Sequence, residues 1–342
     1  MMKRKLVHSM IIVFILLLAI HLGSKAEGAE KWGFIDKTGK MVITPQFDIA
    51  WGFVKGLAGV KTGGKHGFID KTGKMVIYPR FDEGWSFSED LAGVKEKDKI
   101  GFIDKTGKII ILPQFESVKN FSEGLAVVKV QLSPMSSKWA FIDRTGKTIL
   151  PPQFEEAWSF SEGLAAVKIN RRWGFINKTG KMVVNPQFEG ASMFSEGLAG
   201  VAIGGRYGYL DKVGKTIINP QFNMAGAFTK GLAAVKLGNL WGYIDQRGKI
   251  VINAQFNESS NFSEGLAAVK LGNDWSYIDR TGKMVISLPA ESASNFSEGL
   301  GAVKMSGKWG YVDKTGKIAI PPQFEDVWNF SEGLAGVKVW ER

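Results

Sequence analysis

The sequence predicts an all-β tandem-repeat protein: nine three-stranded antiparallel meanders stacked into an open, curved β-superhelix or solenoid. Three observations lead there. The position of Trp32 recurs at His66, Ile100, Trp139, Trp173, Tyr207, Trp241, Trp275 and Trp309, at intervals of 34 residues apart from one of 39. Two different turn signals flank each copy at fixed offsets. The stretches between copies are too short, and too broken by Pro and Gly, to hold a stable helix.

The first strand of a unit is a short apolar run such as residues 198–202, Leu-Ala-Gly-Val-Ala. A two-residue turn follows, Gly204-Gly205 here and Gly63-Gly64, Gly238-Asn239 or Gly272-Asn273 elsewhere. Such pairs mark hairpins, because primed turns need positive φ at their central residues. The second strand carries the aromatic, as in Tyr207-Gly208-Tyr209-Leu210-Asp211. It ends in a second turn, Asp36-Lys37-Thr38-Gly39-Lys40 and its equivalents. There Asp holds backbone N–H groups and Gly takes the left-handed position. A third strand such as Met41-Val42-Ile43 stops at Pro45, which removes a donor. The rest, from Pro45-Gln46-Phe47 to Phe53, reads as an ordered crossover loop with two anchoring phenylalanines.

Two stackings satisfy these units. An open array needs only contacts between neighbours. A closed, propeller-like ring is the alternative, since the chain opens on a second strand and ends on a first, 334–339, that would complete the first meander. Three strands per unit, where propeller blades usually have four, favour the open array.

Residues 1–26 read as a signal peptide. Lys3, Arg4 and Lys5 precede an eleven-residue apolar run, and Ser24-Lys25-Ala26 offers a small-residue cleavage site. The run is shorter than a membrane span, which needs roughly 20 apolar residues, so a cleaved signal is preferred and an uncleaved N-terminal anchor is the alternative. Residues 27–342 then form the exported repeat domain, secreted or at the cell surface, and membrane contact is confined to the signal segment. Four of the eleven net positive charges belong to Lys3, Arg4, Lys5 and Lys25. The remainder lies mostly in turn lysines spread over every unit, which reads as a solvated surface without a clustered nucleic-acid stripe.

The motifs Lys-Trp-Gly-Phe-Ile-Asp-Lys-Thr-Gly-Lys at 31–40 and Phe-Ser-Glu-Gly-Leu-Ala-Ala-Val-Lys at 262–270 closely resemble the WG-repeat family, named for Trp-Gly. The resemblance covers residues 31–338. It implies a bacterial repeat protein and no common enzymatic activity. Departures fall at His66, Ile100 and Tyr207, where Trp is replaced, and at Ala290, where Pro-Gln-Phe has become Leu-Pro-Ala.

Chemistry is scarce. The chain has no Cys, and His8 and His21 lie in the signal segment, leaving His66 as the single histidine beyond it. His66 reads as a packing substitution. The Asp and Glu of the repeat motifs recur in almost every unit, as turn and cap groups do, whereas an active site is one asymmetric constellation. No catalytic residue, metal site or cofactor is therefore expected. The Trp-Gly aromatics read as core. One position varies instead: Trp51, Trp85, Lys119, Trp158, Ser192, Gly226, Ser260, Ser294 and Trp328. Its tryptophans, Trp51, Trp85, Trp158 and Trp328, are the candidate ligand-binding residues, because a ligand face differs from unit to unit while a scaffold repeats. The expected function is non-enzymatic binding or adhesion to a cell-wall polymer, a surface glycan or a protein. The rival readings are a secreted polysaccharide hydrolase and a purely structural surface component.

Overall fold

The computed structural model describes residues 29–340, so the signal-peptide reading falls outside the described residues. Within them the chain forms nine four-stranded antiparallel sheets and no helix. The first strands are β1 (Glu30–Asp36), β2 (Met41–Phe47), β3 (Ile49–Ala50), β4 (Leu57–Thr62), β5 (Lys65–Asp70) and β6 (Met75–Phe81). Sheet β3-β4-β5-β6 is blade one, and the same order repeats down the chain to blade eight, residues 292–324.

Blade nine is shared between the two ends. The C-terminal strand Leu334–Trp340 pairs with β1 over seven residues, from Glu30↔Trp340 to Asp36↔Leu334. The sheet order is β2, β1, the C-terminal strand, and Asp326–Val327. The chain is thus a closed nine-bladed propeller, and the open superhelix is overturned. Contacts between blades nine and one repeat those between other neighbours. Gly56 N–H donates to the Glu332 carboxylate at 3.0 Å, and Lys71 pairs with it at 3.1 Å.

The strand count is corrected too. Each unit has a fourth strand, two residues long, such as Ile49–Ala50, inside the segment read as an irregular loop. Two residues carry no alternation for a sequence to reveal. Pro45 also does not end its strand. It lies within β2, at a blade edge where a missing donor is tolerated.

The turns follow their residues. Gly63 and Gly64 both have positive φ, as a primed hairpin turn requires. The Asp36 carboxylate accepts from the Thr38 hydroxyl at 2.6 Å and from the N–H groups of Thr38 and Lys40. The Thr38 hydroxyl, aided by these amides, holds that carboxyl below its usual range.

The glycine of Trp-Gly has a steric cause. β2 bulges across β1, and a Cβ on Gly33 would lie 2.5 Å from the Ile43 carbonyl oxygen. Six further blades repeat this approach, at 2.3 to 2.5 Å, at Gly67, Gly101, Gly174, Gly208, Gly242 and Gly310. Ala140 and Ser276 take the place in blades three and seven and are buried.

Each blade interface is one hydrophobic cluster. Trp32, Phe34, Ile43 and Phe47 of blade nine meet Ala50, Phe53, Ala58, Val60 and Ile69 of blade one. A polar ring runs alongside, through the Phe-Ser-Glu-Gly loops. Ser88 donates to the Phe121 carbonyl of the next blade, and Ser122, Ser161, Ser195, Ser263, Ser297 and Ser331 do likewise to theirs. The adjacent Glu accepts from the next blade's Gly N–H, as Glu298 does from Gly333, and pairs with its turn Lys, as Glu298 does with Lys37 at 3.0 Å. Loops bonded so directly from blade to blade lie at the inner edge of the ring. The seven-residue strands, with exposed Val42, Tyr78 and Leu112, form the rim.

The polar ring is interrupted twice, where the motif has become Phe53-Val54-Lys55-Gly56 and Phe228-Thr229-Lys230-Gly231. Lys55 is met by Asp90 of blade two at 3.5 Å, but Lys230 stands where other motifs have the Glu that accepts from the next blade's Gly N–H. Lys230→Glu restores the acceptor beside Arg280. It is expected to stabilise the ring by roughly 1 kcal/mol, the usual net worth of a hydrogen bond, read as a raised melting temperature. A neutral or lowered melt would show that this carboxylate ring is not stabilising.

Candidate ligand-binding surface

The Trp-Gly aromatic and the variable residue belong to one blade and lie against each other. Trp328 stacks on Trp32 with ring centroids 5.8 Å apart. Trp158 stacks on Trp173 at 6.3 Å, and Trp51 lies over His66 at 5.0 Å. Where the variable residue is Trp, the residue beneath is buried: Trp32, His66, Ile100 and Trp173 are 5 to 6% exposed. Where it is Lys, Ser or Gly, the residue beneath (Trp139, Tyr207, Trp241, Trp275 or Trp309) is partly exposed. The covering tryptophans are half-exposed themselves, Trp158 at 38% and Trp328 at 41%.

Ring closure changes how the four candidates relate. Trp328 and Trp51 stand far apart in sequence but on adjoining blades. Around the ring the order is Trp328, Trp51, Trp85, Lys119, Trp158, one per blade over five consecutive blades. Ser192, Gly226, Ser260 and Ser294 fill the other four. The buried aromatics divide the same way. Blades five to eight use Tyr209, Tyr243, Tyr277 and Tyr311, whose hydroxyls donate to carbonyls of the next blade at 2.7 to 2.8 Å. Blades nine and one to four use Phe34, Phe68, Phe102, Phe141 and Phe175.

Lys119, absent from the sequence-based candidates, belongs to this arc. Its Nζ sits 3.5 Å from the Trp158 ring centroid and 5.7 Å from that of Trp139, a cation–π arrangement. Burial lowers its pKa, opposed by Glu156. A further row of lysines pairs with the Trp-Gly residues across the strands. It comprises Lys61, Lys95, Lys129, Lys168, Lys236, Lys270, Lys304 and Lys338.

The four tryptophans are not equivalent. The Trp328 indole N–H donates to the Ala50 carbonyl of blade one at 2.7 Å, so this side chain fastens the closure. Those of Trp51, Trp85 and Trp158 have no hydrogen-bond partner among the described residues. Trp51 and Trp85 face a common cleft of about 340 Å³ with His66, Glu83, Gly84, Ser86 and Asn120. His66, read as a packing substitution, is buried beneath Trp51 and also lines that cleft.

The model of the WG containing repeat matches nine successive segments: 32–65, 67–99, 100–131, 139–173, 173–207, 207–241, 241–275, 275–309 and 309–339. The chain belongs to the WG-repeat family. Its first segment joins the residues of β1 and β2, in blade nine, to those of blade one, so a WG repeat is offset from a blade. No curated protein matches the sequence. Among solved structures the chain is similar to Kluyveromyces lactis Hsv2, at 10% identity over 65% of this chain and 87% of that one, with a TM-score of 0.41. It is also similar to the AfRom2 CNH domain, at 9% identity over 87% and 95%, TM-score 0.38. PorZ of Porphyromonas gingivalis, an essential bacterial surface component of the type-IX secretion system, matches at 9% identity over 82% of this chain and 46% of that one, TM-score 0.34.

Trp328→Phe keeps a ring over Trp32 but strands the Ala50 carbonyl. It should cost about 1 kcal/mol or more, as an unmade buried hydrogen bond does. Trp51→Phe breaks no hydrogen bond and should cost less. Equal melting temperatures for the two variants would show that the Trp328 indole N–H does not hold the closure.

Proposed function

We propose that this WG-repeat propeller is a non-enzymatic, extracytoplasmic binding scaffold, and that the arc of Trp328, Trp51, Trp85, Lys119 and Trp158 receives a wall polymer or surface glycan. One observation carries the reading. The four variable tryptophans, together with Lys119, occupy five adjoining blades and leave four blades with small residues. Ser260 and Ser294 fill the same position in other blades by accepting a backbone N–H from the neighbouring strand, so a tryptophan is not the only residue that completes a blade here. A succession of partly exposed indoles offers flat apolar faces, and the neighbouring lysines supply charge for anionic substituents. The copied carboxylates are engaged in turns and blade contacts, which leaves them poorly placed for general acid–base chemistry.

Binding to isolated wall and glycan fractions tests the reading. Trp85→Ala and Trp158→Ala should each weaken retention by roughly 1–3 kcal/mol, the scale of an aromatic hot spot. Ser260→Ala, on the opposite blades, should leave it unchanged. Equal retention of all three variants, or turnover of a polysaccharide that one acidic substitution abolishes, would defeat the proposal. Export is tested separately. The N-terminus of the released protein should lie near Glu27, and a product retaining Met1 at the membrane would contradict a cleaved signal.

A further inference from the structure

The cleft between blades one and two arises from two changes in the repeat. At the second residue of the short strand, the other blades have Ala, Val or Ser, as in Ala50, Val118, Ala157, Ser259 and Val327; blade two has Gly84. Six units carry Trp at the aromatic position, whereas blade one carries His66. A Cβ on Gly84 would sit 3.6 Å from both the His66 Cβ and the Phe68 ring, so the two changes remove volume from the same wall. The polar ring is also altered here, since Val54 has no hydroxyl to offer the Phe87 carbonyl.

The lining combines two functions. Trp51 and Trp85 present half-buried indoles whose N–H groups have no partner among the described residues. Glu83, Ser86, Asn120 and His66 supply polar atoms around them. His66 is only 6% exposed, yet its Nδ1 has no hydrogen-bond partner. A buried, unpaired ring nitrogen is costly unless something satisfies it. Burial, then the nearby Lys61, lower the imidazole pKa against the opposing Glu83, which favours the neutral ring with its one donor and one acceptor. Glu83 is paired with Lys95 at 2.8 Å, and no lysine or arginine is among the residues that line the cleft.

We infer that this cleft is a binding subsite for a neutral hexopyranose unit of a glycan, its apolar C–H face against Trp51 or Trp85 and its hydroxyls toward His66, Glu83, Ser86 and Asn120. A pyranose has one apolar face and a polar perimeter, and the cleft has that distribution. A nucleotide would bring phosphate beside Glu83, and a peptide side chain would leave most of the polar rim unused. The inference rests on the binding-scaffold reading and narrows it to one seam of the ring.

The test uses variants that restore the residues of other blades, so folding is preserved. His66→Trp and Gly84→Ala fill the cleft and leave Lys119, Trp158 and Trp328 in place. Isothermal titration of the exported chain with cellohexaose, maltohexaose and tetra-N-acetylchitotetraose should find at least one saccharide that binds. Its affinity should fall tenfold or more in both variants, with melting temperatures unchanged or raised. No heat from any of the three at millimolar saccharide would overturn the inference, and so would undiminished binding by His66→Trp. Retention on wall fractions that survives His66→Trp but is lost in Trp158→Ala would uphold the arc and reject the cleft.

Discussion

A bare α-carbon sets the terms of this fold. Each outer strand bulges across its neighbour at the glycine of Trp-Gly, with a carbonyl oxygen where a Cβ would stand. The strand then ends one residue before the next blade begins, as Asp48 alone separates Phe47 from Ile49. Four strands therefore fit into 34 residues. The aromatic before the glycine points to the blade interface, so one dipeptide serves both the link along the chain and the packing between blades. Ala140 and Ser276 show that the chain can yield by the width of a small side chain, not that the space is free.

Repetition then makes closure possible, and closure makes the surface. Every interface uses the same apolar faces and nearly the same loop hydrogen bonds, including the one between the last blade and the first. A ring of near-identical parts has no privileged site, so function depends on departures from the repeat. Those departures cluster. The covering tryptophans and Lys119 occupy five adjoining blades, and His66 with Gly84 open one seam among them.

Much of this was legible in the sequence, because it is local. The hairpin glycines, the Asp-Lys-Thr-Gly turn, the buried Trp173 and the anchoring Phe53 each announce themselves within a few residues. What was not legible is either too short or too distant. Ile49–Ala50 is a strand only because Lys61 and Val60 lie opposite. Pro45 looked like a terminator because its crossing over Gly33 involves a partner ten or more residues away. The open array was preferred on a count of three strands, and the missing fourth strand removes that reason. That His66 also lines a cleft was not legible, because Glu83, Trp85 and Asn120 join that lining only across blade boundaries.

The ring rests on pairing between the two ends of the chain, and that pairing can be trapped. The protein has no cysteine, so Lys31→Cys with Val339→Cys introduces the sole thiols, at residues directly opposed in β1 and the C-terminal strand. Opposed antiparallel residues lie about 4.5–5.5 Å apart at Cα, within disulfide reach. Under mild oxidation the closed propeller should form one intramolecular disulfide, seen as a faster-migrating monomer on non-reducing denaturing gels and reversed by reductant. Free thiols, or disulfide-linked dimers in place of that monomer, would mean that the ends do not meet and the ring is open.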